Sequence, residues 1–538
     1  MARRAATISP GALIVSLGLA SCPALDWFGA RTAYGAVPPK PSVAAPVPAR
    51  STPEAPPPAT RAPARREQSG HSPLEAESPG LWPEPTESEL TALTSELEVD
   101  PERALASIAK ETIIFAEPSW SGKKLGYLTA GAVVERGHAP ASNRGCARGW
   151  YSIAPEGFVC VGKTATLDLS HPVRVAATTR PDRSRALPYV YGRSRFPTPP
   201  FYTRIPRHAD RQRVEMDLKG HLRGHKRGAW DFVPFGSVPE FLRDGRAAPS
   251  VHVYVHSTKS IYTGRALPES GFAFLSFFES EGRRFGLSTD LAVMPLDRLK
   301  PVQLSEFHGL ELDDDVTLPV AFVYTRRGHL YAREGGPGSS LKVVRRLAYR
   351  EAVPITGKRV RIGKAKYYET RSGHFLRDAK LVRVDPMRNR PTWAKPGRSW
   401  IDVSILRQSL VAYEGTRPVF VTLVSTGVDG LGDPEETHST IRGRFLIHTK
   451  HVTATMSGDE PGDEFDLRDV PYVQYFTEGY ALHAAYWHDA FGQPRSHGCV
   501  NLSPRDARWL FEWSDPAVPQ SWHGAMSLRD GTLVSIHP

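Results

Sequence analysis

Apolar and polar positions alternate in three runs near the C-terminus, at residues 400–405, 408–413 and 418–427. Successive strand side chains point to opposite faces, so this two-residue period, broken by short turns, predicts a β meander. The run 440–447 extends it. The acidic, turn-rich stretch 459–469 interrupts it and reads as a surface loop over a cleft. Residues 473–476 and 479–482 give two more strands, 484–495 a loop, 496–500 a return to the strand layer, and 531–537 a closing strand. The period changes at Ser503. Ser503-Pro504-Arg505-Asp506 offers an N-cap, a proline at the first helical position and an acid at the third, a capping-box pattern. Ala507, Leu510 and Phe511 then form the apolar face of a short helix. Residues 398–538 therefore predict one β-rich domain carrying a short helix.

Upstream the same period comes in shorter pieces. Strands are expected at 112–115, 124–128, 132–136, 150–153 and 157–161, making a small β domain over 111–168. Residues 190–395 hold strand-like runs at 251–255, 271–278, 320–324, 341–347 and 360–362. Within them, 283–302 and 367–386 share an early aromatic, a turn, an apolar pair and Leu-x-x-Val, and read as related small β units. Residues 87–110, rich in Leu, Ala and Glu, predict a short helix. Residues 23–100 are Pro/Ala-rich without apolar periodicity, a composition that cannot offset its ordering entropy and acts as an extended tether. Residues 1–22 open with Arg3 and Arg4, and their apolar run at 8–20 is too short to span a bilayer, so they read as an export signal. Leu19-Ala20-Ser21-Cys22 resembles a lipobox, which implies lipidation of Cys22 and a membrane anchor. The alternative is ordinary cleavage near 33–36, releasing a soluble protein.

Composition adds little about fold and more about surroundings. The chain has 538 residues, 40% hydrophobic, with 48 prolines, many of them before residue 90. The net charge of +11 and pI near 9.4 favour anionic surroundings such as nucleic acid, acidic lipid or a wall polymer. The charge is spread along the chain with no long Lys/Arg block, and no nucleic-acid-binding motif occurs, so an envelope location is expected and no nucleic-acid partner. The four cysteines stand at 22, 146, 160 and 499. Cys146 and Cys160 flank an expected hairpin and, in an exported protein, are expected to be bridged. Cys499 is left over as a thiol. His252, His256, His308 and His374 lack ligand spacing and read as surface or packing residues.

Candidate chemistry concentrates in 480–502, YALHAAYWHDAFGQPRSHGCVNL. A cysteine attacks as thiolate, and a nearby histidine is the usual means of making one near neutral pH. Gly498, directly before the thiol, permits a sharp turn that aims amide N–H groups at a reacting carbonyl. Ser496-His497-Gly498-Cys499-Val500-Asn501, with His483 sixteen residues before the cysteine, resembles the L,D-transpeptidase (YkuD) catalytic domain over about 398–538. The 440–447 run resembles that family's Thr-Pro-x-Gly-x-Phe-x-Ile strand, with Ile441-Arg442 in place of the proline-containing pair. The stretch 149–160, GWYSIAPEGFVC, resembles a bacterial SH3-like barrel, and two further SH3-like units are expected in 190–395.

The resemblance implies a mostly β protein: a C-terminal L,D-transpeptidase β-sandwich with a short helix after the cysteine, preceded by SH3-like barrels. It implies peptidoglycan stem peptides as partners, Cys499 as nucleophile through a thioester, and His483 as base, with no cofactor or metal. The residue after His483 is Ala484, so only a backbone carbonyl remains there to orient the ring. His497, Gly498 and the Cys499 amide would shape an oxyanion hole, worth roughly 3–4 kcal/mol per donor. Ser496 and Asn501 are structural or substrate-contact candidates, Tyr475 and Trp487 line a cleft, and Arg495 either meets a stem-peptide carboxylate or is a solvated surface residue. Three alternatives stand beside this reading. One is a hydrolase of the same fold. Another is a non-catalytic wall-binding lipoprotein. The third is a zinc site built from His483, His488, His497 and Cys499.

Overall fold

The computed structural model describes residues 99–225, 228–252, 260–336, 339–389, 391–459 and 464–538. The export signal with Cys22, the tether up to residue 98, and 253–255 of one expected strand lie outside the described residues. All described residues fall within one compact unit.

Seven short strands make the first β unit: β1 (Ala104–Ser107), β2 (Thr112–Phe115), β3 (Lys124–Leu128), β4 (Val133–Glu135), β5 (Trp150–Ser152), β6 (Phe158–Cys160) and β7 (Ala165–Thr166). The five strands expected between 112 and 161 all form. β1 does not follow expectation, since it lies in the segment read as helix. Its four residues are all buried, between β4 and β7. A helix would have turned some of them to solvent, whereas a strand covered on both faces hides all four. Cys146 and Cys160 form a disulfide with a Cα–Cα distance of 5.9 Å, packed against Phe115 and Trp150.

The second unit comprises β8 (Val190–Ser194), β9 (Pro200–Tyr202), β10 (Tyr262–Arg265), β11 (Gly271–Ser280), β12 (Arg283–Ser288), β13 (Val293–Pro295) and β14 (Leu299–Pro301). β8 pairs with both β11 and β14, while β11, β12 and β13 form a meander. Two short helices, His208–Val214 and Leu218–Gly224, are inserted between β8 and β11. Buried Glu215 anchors them by accepting from Tyr202, Arg283 and Arg298.

After β15 (Leu310–Glu311) comes a third unit: β16 (Val320–Val323), β17 (His329–Arg333), β18 (Leu341–Arg346), β19 (Ala352–Ile362), β20 (Ala365–Thr370), β21 (Phe375–Arg377) and β22 (Leu381–Val384). β16 pairs with both β19 and β22, and β19, β20 and β21 form a meander. This repeats the topology of the second unit. The two stretches sharing a sequence pattern, 283–302 and 367–386, supply equivalent strands in the two units.

The C-terminal part is a sandwich. One layer runs β15-β25-β24-β23-β32-β26, with β23 (Ser399–Ser404), β24 (Ser409–Glu414), β25 (Arg417–Leu423), β26 (Gly443–Leu446) and β32 (Leu533–His537). The other holds β27 (Thr449–Gly458), β28 (Phe465–Thr477), β29 (Tyr480–Ala484), β30 (Val500–Leu502) and β31 (Gly524–Met526). The helix Pro504–Trp513 buries Ala507, Leu510 and Phe511 in the same core as Ile401, Leu410, Val452 and Leu482. Of the expected loop at 459–469, residues 465–469 are strand, and 460–463 lie outside the described residues. Asp469 lies within β28, buried, and accepts from Thr289 and Thr453 at 2.6 and 3.0 Å. The expected capping box forms by half. Ser503 Oγ accepts the Asp506 amide at 3.2 Å, but the Asp506 carboxylate accepts from the Gly309 amide at 2.8 Å and the Thr422 hydroxyl at 2.5 Å.

The units are not beads on a string. β31 pairs with β3, and β28 touches β11, so one sheet crosses from the first and second units into the sandwich. Leu105, Ile114 and Leu128 of the first unit share the sandwich core.

Candidate active site

His483 and Cys499 are brought together by strand register. β29 and β30 are parallel, with Leu482 opposite Val500 and His483 opposite Asn501. Extended by one residue, the register sets Cys499 beside Ala481. Ala481, His483, Cys499 and Asn501 thus share one face, and the small Ala481 leaves the sulfur uncovered. Cys499 is partly exposed and packs against the buried cluster that holds Val473, Ala481 and Tyr486. Its thiol donates to the Gly479 carbonyl at 3.5 Å, and the Ala481 amide faces the sulfur. Burial still outweighs that amide and pushes the thiol up to about 11.

His483 is almost wholly buried. Its Nδ1–H donates to the Ala484 carbonyl at 3.1 Å, the backbone partner left once Ala484 offers no side chain. That bond assigns the proton to Nδ1 and leaves Nε2 as the acceptor. Trp487 stacks on the ring at 5.7 Å. Burial lowers the imidazole to about 4. The two groups therefore rest as neutral thiol and neutral imidazole.

The turn before Cys499 is built differently from expectation. Ser496 Oγ donates to the Cys499 carbonyl at 2.5 Å and accepts the Gly498 amide at 3.1 Å. The Gly498 N–H is thus spent inside the turn and does not serve as an oxyanion donor. Gly498 has φ +131°, and a Cβ there would lie 2.8 Å from Tyr480, so both backbone and space require glycine. Thr440 was not singled out from the sequence, yet its buried hydroxyl donates to the Gly498 carbonyl at 2.6 Å and accepts the Gly427 amide at 2.8 Å. Its signal was its place at the head of the 440–447 run.

The exposed ring of His497 lies between His438, edge-on at 4.8 Å, and Phe465, stacked at 4.9 Å, at the rim of the site. Asn501 is buried with its amide 2.9 Å from His488 Nε2. His488 Nδ1 accepts the Ala490 amide at 3.1 Å, so the ring proton sits on Nε2 and the Asn501 oxygen must face it. Burial and Arg495 hold His488 down to about 3. Tyr475 lies close to Cys499, its hydroxyl raised by burial and by that thiol. Arg495 is exposed, and its backbone amide bonds to Thr426. Among the described residues, no three His, Cys, Asp or Glu side chains converge as metal ligands.

The loop between His483 and Cys499 is gripped from outside the sandwich. Arg350 of the third unit binds both Asp489 carboxylate oxygens at 2.7 Å and the Asp489 carbonyl at 3.0 Å. Ser305 donates to the same carboxylate at 2.5 Å, and Arg193 of the second unit donates to the Trp487 carbonyl at 2.9 Å. None of these long-range partners is legible in local sequence.

Comparison with known proteins bears on this region. Residues 398–536 match the YkuD family model, described as the L,D-transpeptidase catalytic domain. Putative L,D-transpeptidase YciB of Bacillus subtilis (strain 168) is 26% identical over 139 residues, 21% of this chain and 59% of that protein. The chain thus spans under two thirds of that relative's length. A crystal structure of an Enterococcus faecium L,D-transpeptidase variant aligns at 21% identity over 26% of this chain and 50% of that one, with a TM-score of 0.20. The L,D-transpeptidase from Mycobacterium smegmatis aligns at 15% identity over 44% of this chain and 100% of that one, with a TM-score of 0.21. It is the C-terminal sandwich, residues 398–536, that is similar to the L,D-transpeptidase catalytic domain of the YkuD family.

Proposed function

We propose that the sandwich is a cysteine-dependent L,D-transpeptidase acting on peptidoglycan stem peptides. The observation that carries this is the shared face of Cys499 and His483, with Nε2 left free to accept by the Ala484 carbonyl, inside the matched region. Cys499 Sγ attacks the donor carbonyl while His483 Nε2 takes the thiol proton. The C–N bond to the terminal D-amino acid breaks, and Nε2 returns the proton to the departing amine. A thioester remains. An acceptor amine then attacks it, gives a proton to Nε2, and the thiol is restored as a new amide forms. Side chains that hold the site do so indirectly: Ser496, Thr440 and Gly498 shape the turn, and Asn501 with His488 backs the strand.

The second and third units, each with its first strand joined to the leading strand of its meander and to its last strand, support the reading of SH3-like barrels. Export and a lipid anchor at Cys22 fit an enzyme of the wall. Intact-mass spectrometry of the full chain with a carbapenem tests the chemistry. One drug mass on wild type and none on Cys499→Ala is expected. A wild type that stays unmodified, or a Cys499→Ala protein that is modified equally, would overturn it.

A further inference from the structure

Residues 320–384, the third β unit, hold sixteen Lys and Arg against four Asp and Glu, a net formal charge of +12. The whole 538-residue chain carries +11. The basic residues alternate with others along the strands and never run more than two together, so the sequence looks evenly charged while the fold gathers them. All four acids are already ion-paired within the unit: Glu334 with Lys342, Glu351 with Arg345, Glu369 with Lys358, and Asp378 with Arg359. Arg361, Lys364, Lys366, Arg377 and Lys380 are exposed and have no carboxylate partner among the described residues.

The sheet runs β18-β17-β21-β20-β19. Tyr331 pairs with Phe375, and Tyr367 with Arg377, so these four side chains share one face. The rings of Tyr331 and Tyr367 are partly exposed and meet edge-on at 5.7 Å. Arg333 lies over Phe375 at 4.9 Å, on the same face. The face therefore sets two tyrosines between two guanidinium groups. Sugar C–H faces stack on such rings, and guanidinium pairs with carboxylate. Arg361 and Lys366 pair across the β19–β20 hairpin on its opposite side, so the cations wrap round an edge. That suits a flexible polymer better than a flat lipid surface.

We propose that this unit binds a linear, carboxylate-bearing polysaccharide along the Tyr331–Tyr367 face and the β19–β20 hairpin. The proposal does not depend on the acyl-transfer reading, because none of these residues touches Cys499. The test measures binding of the full chain to polygalacturonate, to poly-L-glutamate of matched charge and to anionic phospholipid vesicles, at low salt. Wild type should prefer polygalacturonate. The variant Arg361→Glu/Lys364→Glu/Lys366→Glu should weaken both polymers by about tenfold or more, since polyion binding follows the number of charges engaged. Tyr331→Ala/Tyr367→Ala should weaken polygalacturonate alone. A thermal melt matching that of wild type reports that each variant is folded. Equal binding of the two polymers, binding to vesicles alone, or a triple variant that binds polygalacturonate as wild type does would each overturn the proposal.

Discussion

Cys499 at about 11 and His483 at about 4 leave a wide range in which neither residue is charged. The thiol proton then moves only as the carbonyl is attacked, and the rate needs neutral His483. Acylation by a carbapenem should rise through about pH 4 and stay level from about pH 5 to 10, the window set by these two groups. A rate–pH profile measures this; an acid limb near the ordinary histidine value would mean a preformed thiolate–imidazolium pair instead. Stability should fall in the same acid range. His451 and His483 are held near 4 and His523 near 3 by burial, so the unfolded chain binds three protons that the folded one refuses. Asp506, raised to about 6 by burial, offsets one of them. His488, held at about 3, is a fourth such histidine, while Asp469, raised by burial, works in the opposite sense. Stability therefore falls as pH drops through about 5, by roughly 1.4 kcal/mol per pH unit for each net proton the unfolded state gains. Urea midpoints at about pH 5.5 and 4.5 read the slope, and a flat or rising stability on acidification would contradict it.

The catalytic loop as an element depends on its clamps. Arg350 is 5% exposed and holds Asp489 by three bonds, so Arg350→Ala releases the loop that carries Trp487, the residue stacked on His483. Acylation should slow by about tenfold to a hundredfold, the usual cost of misplacing a reacting group. Arg345→Ala, which breaks an exposed pair in the same unit, should leave it unchanged. Wild-type rates in Arg350→Ala would remove the clamp from the argument. The strands β2, β3, β11 and β16 were legible because each alternates or forms a short apolar run between turn residues. β1 was misread because Ala and Leu in 104–106 suit a helix locally, and only its two neighbouring strands decide otherwise. The pairing of His483 with Cys499 was read from the resemblance of the Ser496–Asn501 motif, and the parallel register of β29 and β30 sets the two residues on one face. The Gly498 amide was not, because its partner is a serine hydroxyl whose direction depends on the turn it helps to make.

At the scale of the molecule, the sandwich does not own its whole surface. Removing residues 1–397 would strip β3 from β31 and uncover core positions packed by Leu105, Ile114 and Leu128. A 398–538 fragment should therefore be poorly soluble or lack a cooperative melt, whereas a protein beginning near residue 99 should melt cooperatively. A fragment that unfolds as sharply and as late as the longer protein would refute this. Charge clustering is another property of this scale, invisible while the basic residues are read in file along the chain. The β3–β31 pairing also carries a consequence in time. β3 ends at Leu128 and β31 begins at Gly524, so its partner edge leaves the ribosome roughly 400 residues later. At about 5–20 residues per second that is a wait of about 20–80 s. The first unit is made early but cannot be closed until β31 arrives, and through that interval the nascent chain holds an open strand edge that any other extended chain could occupy.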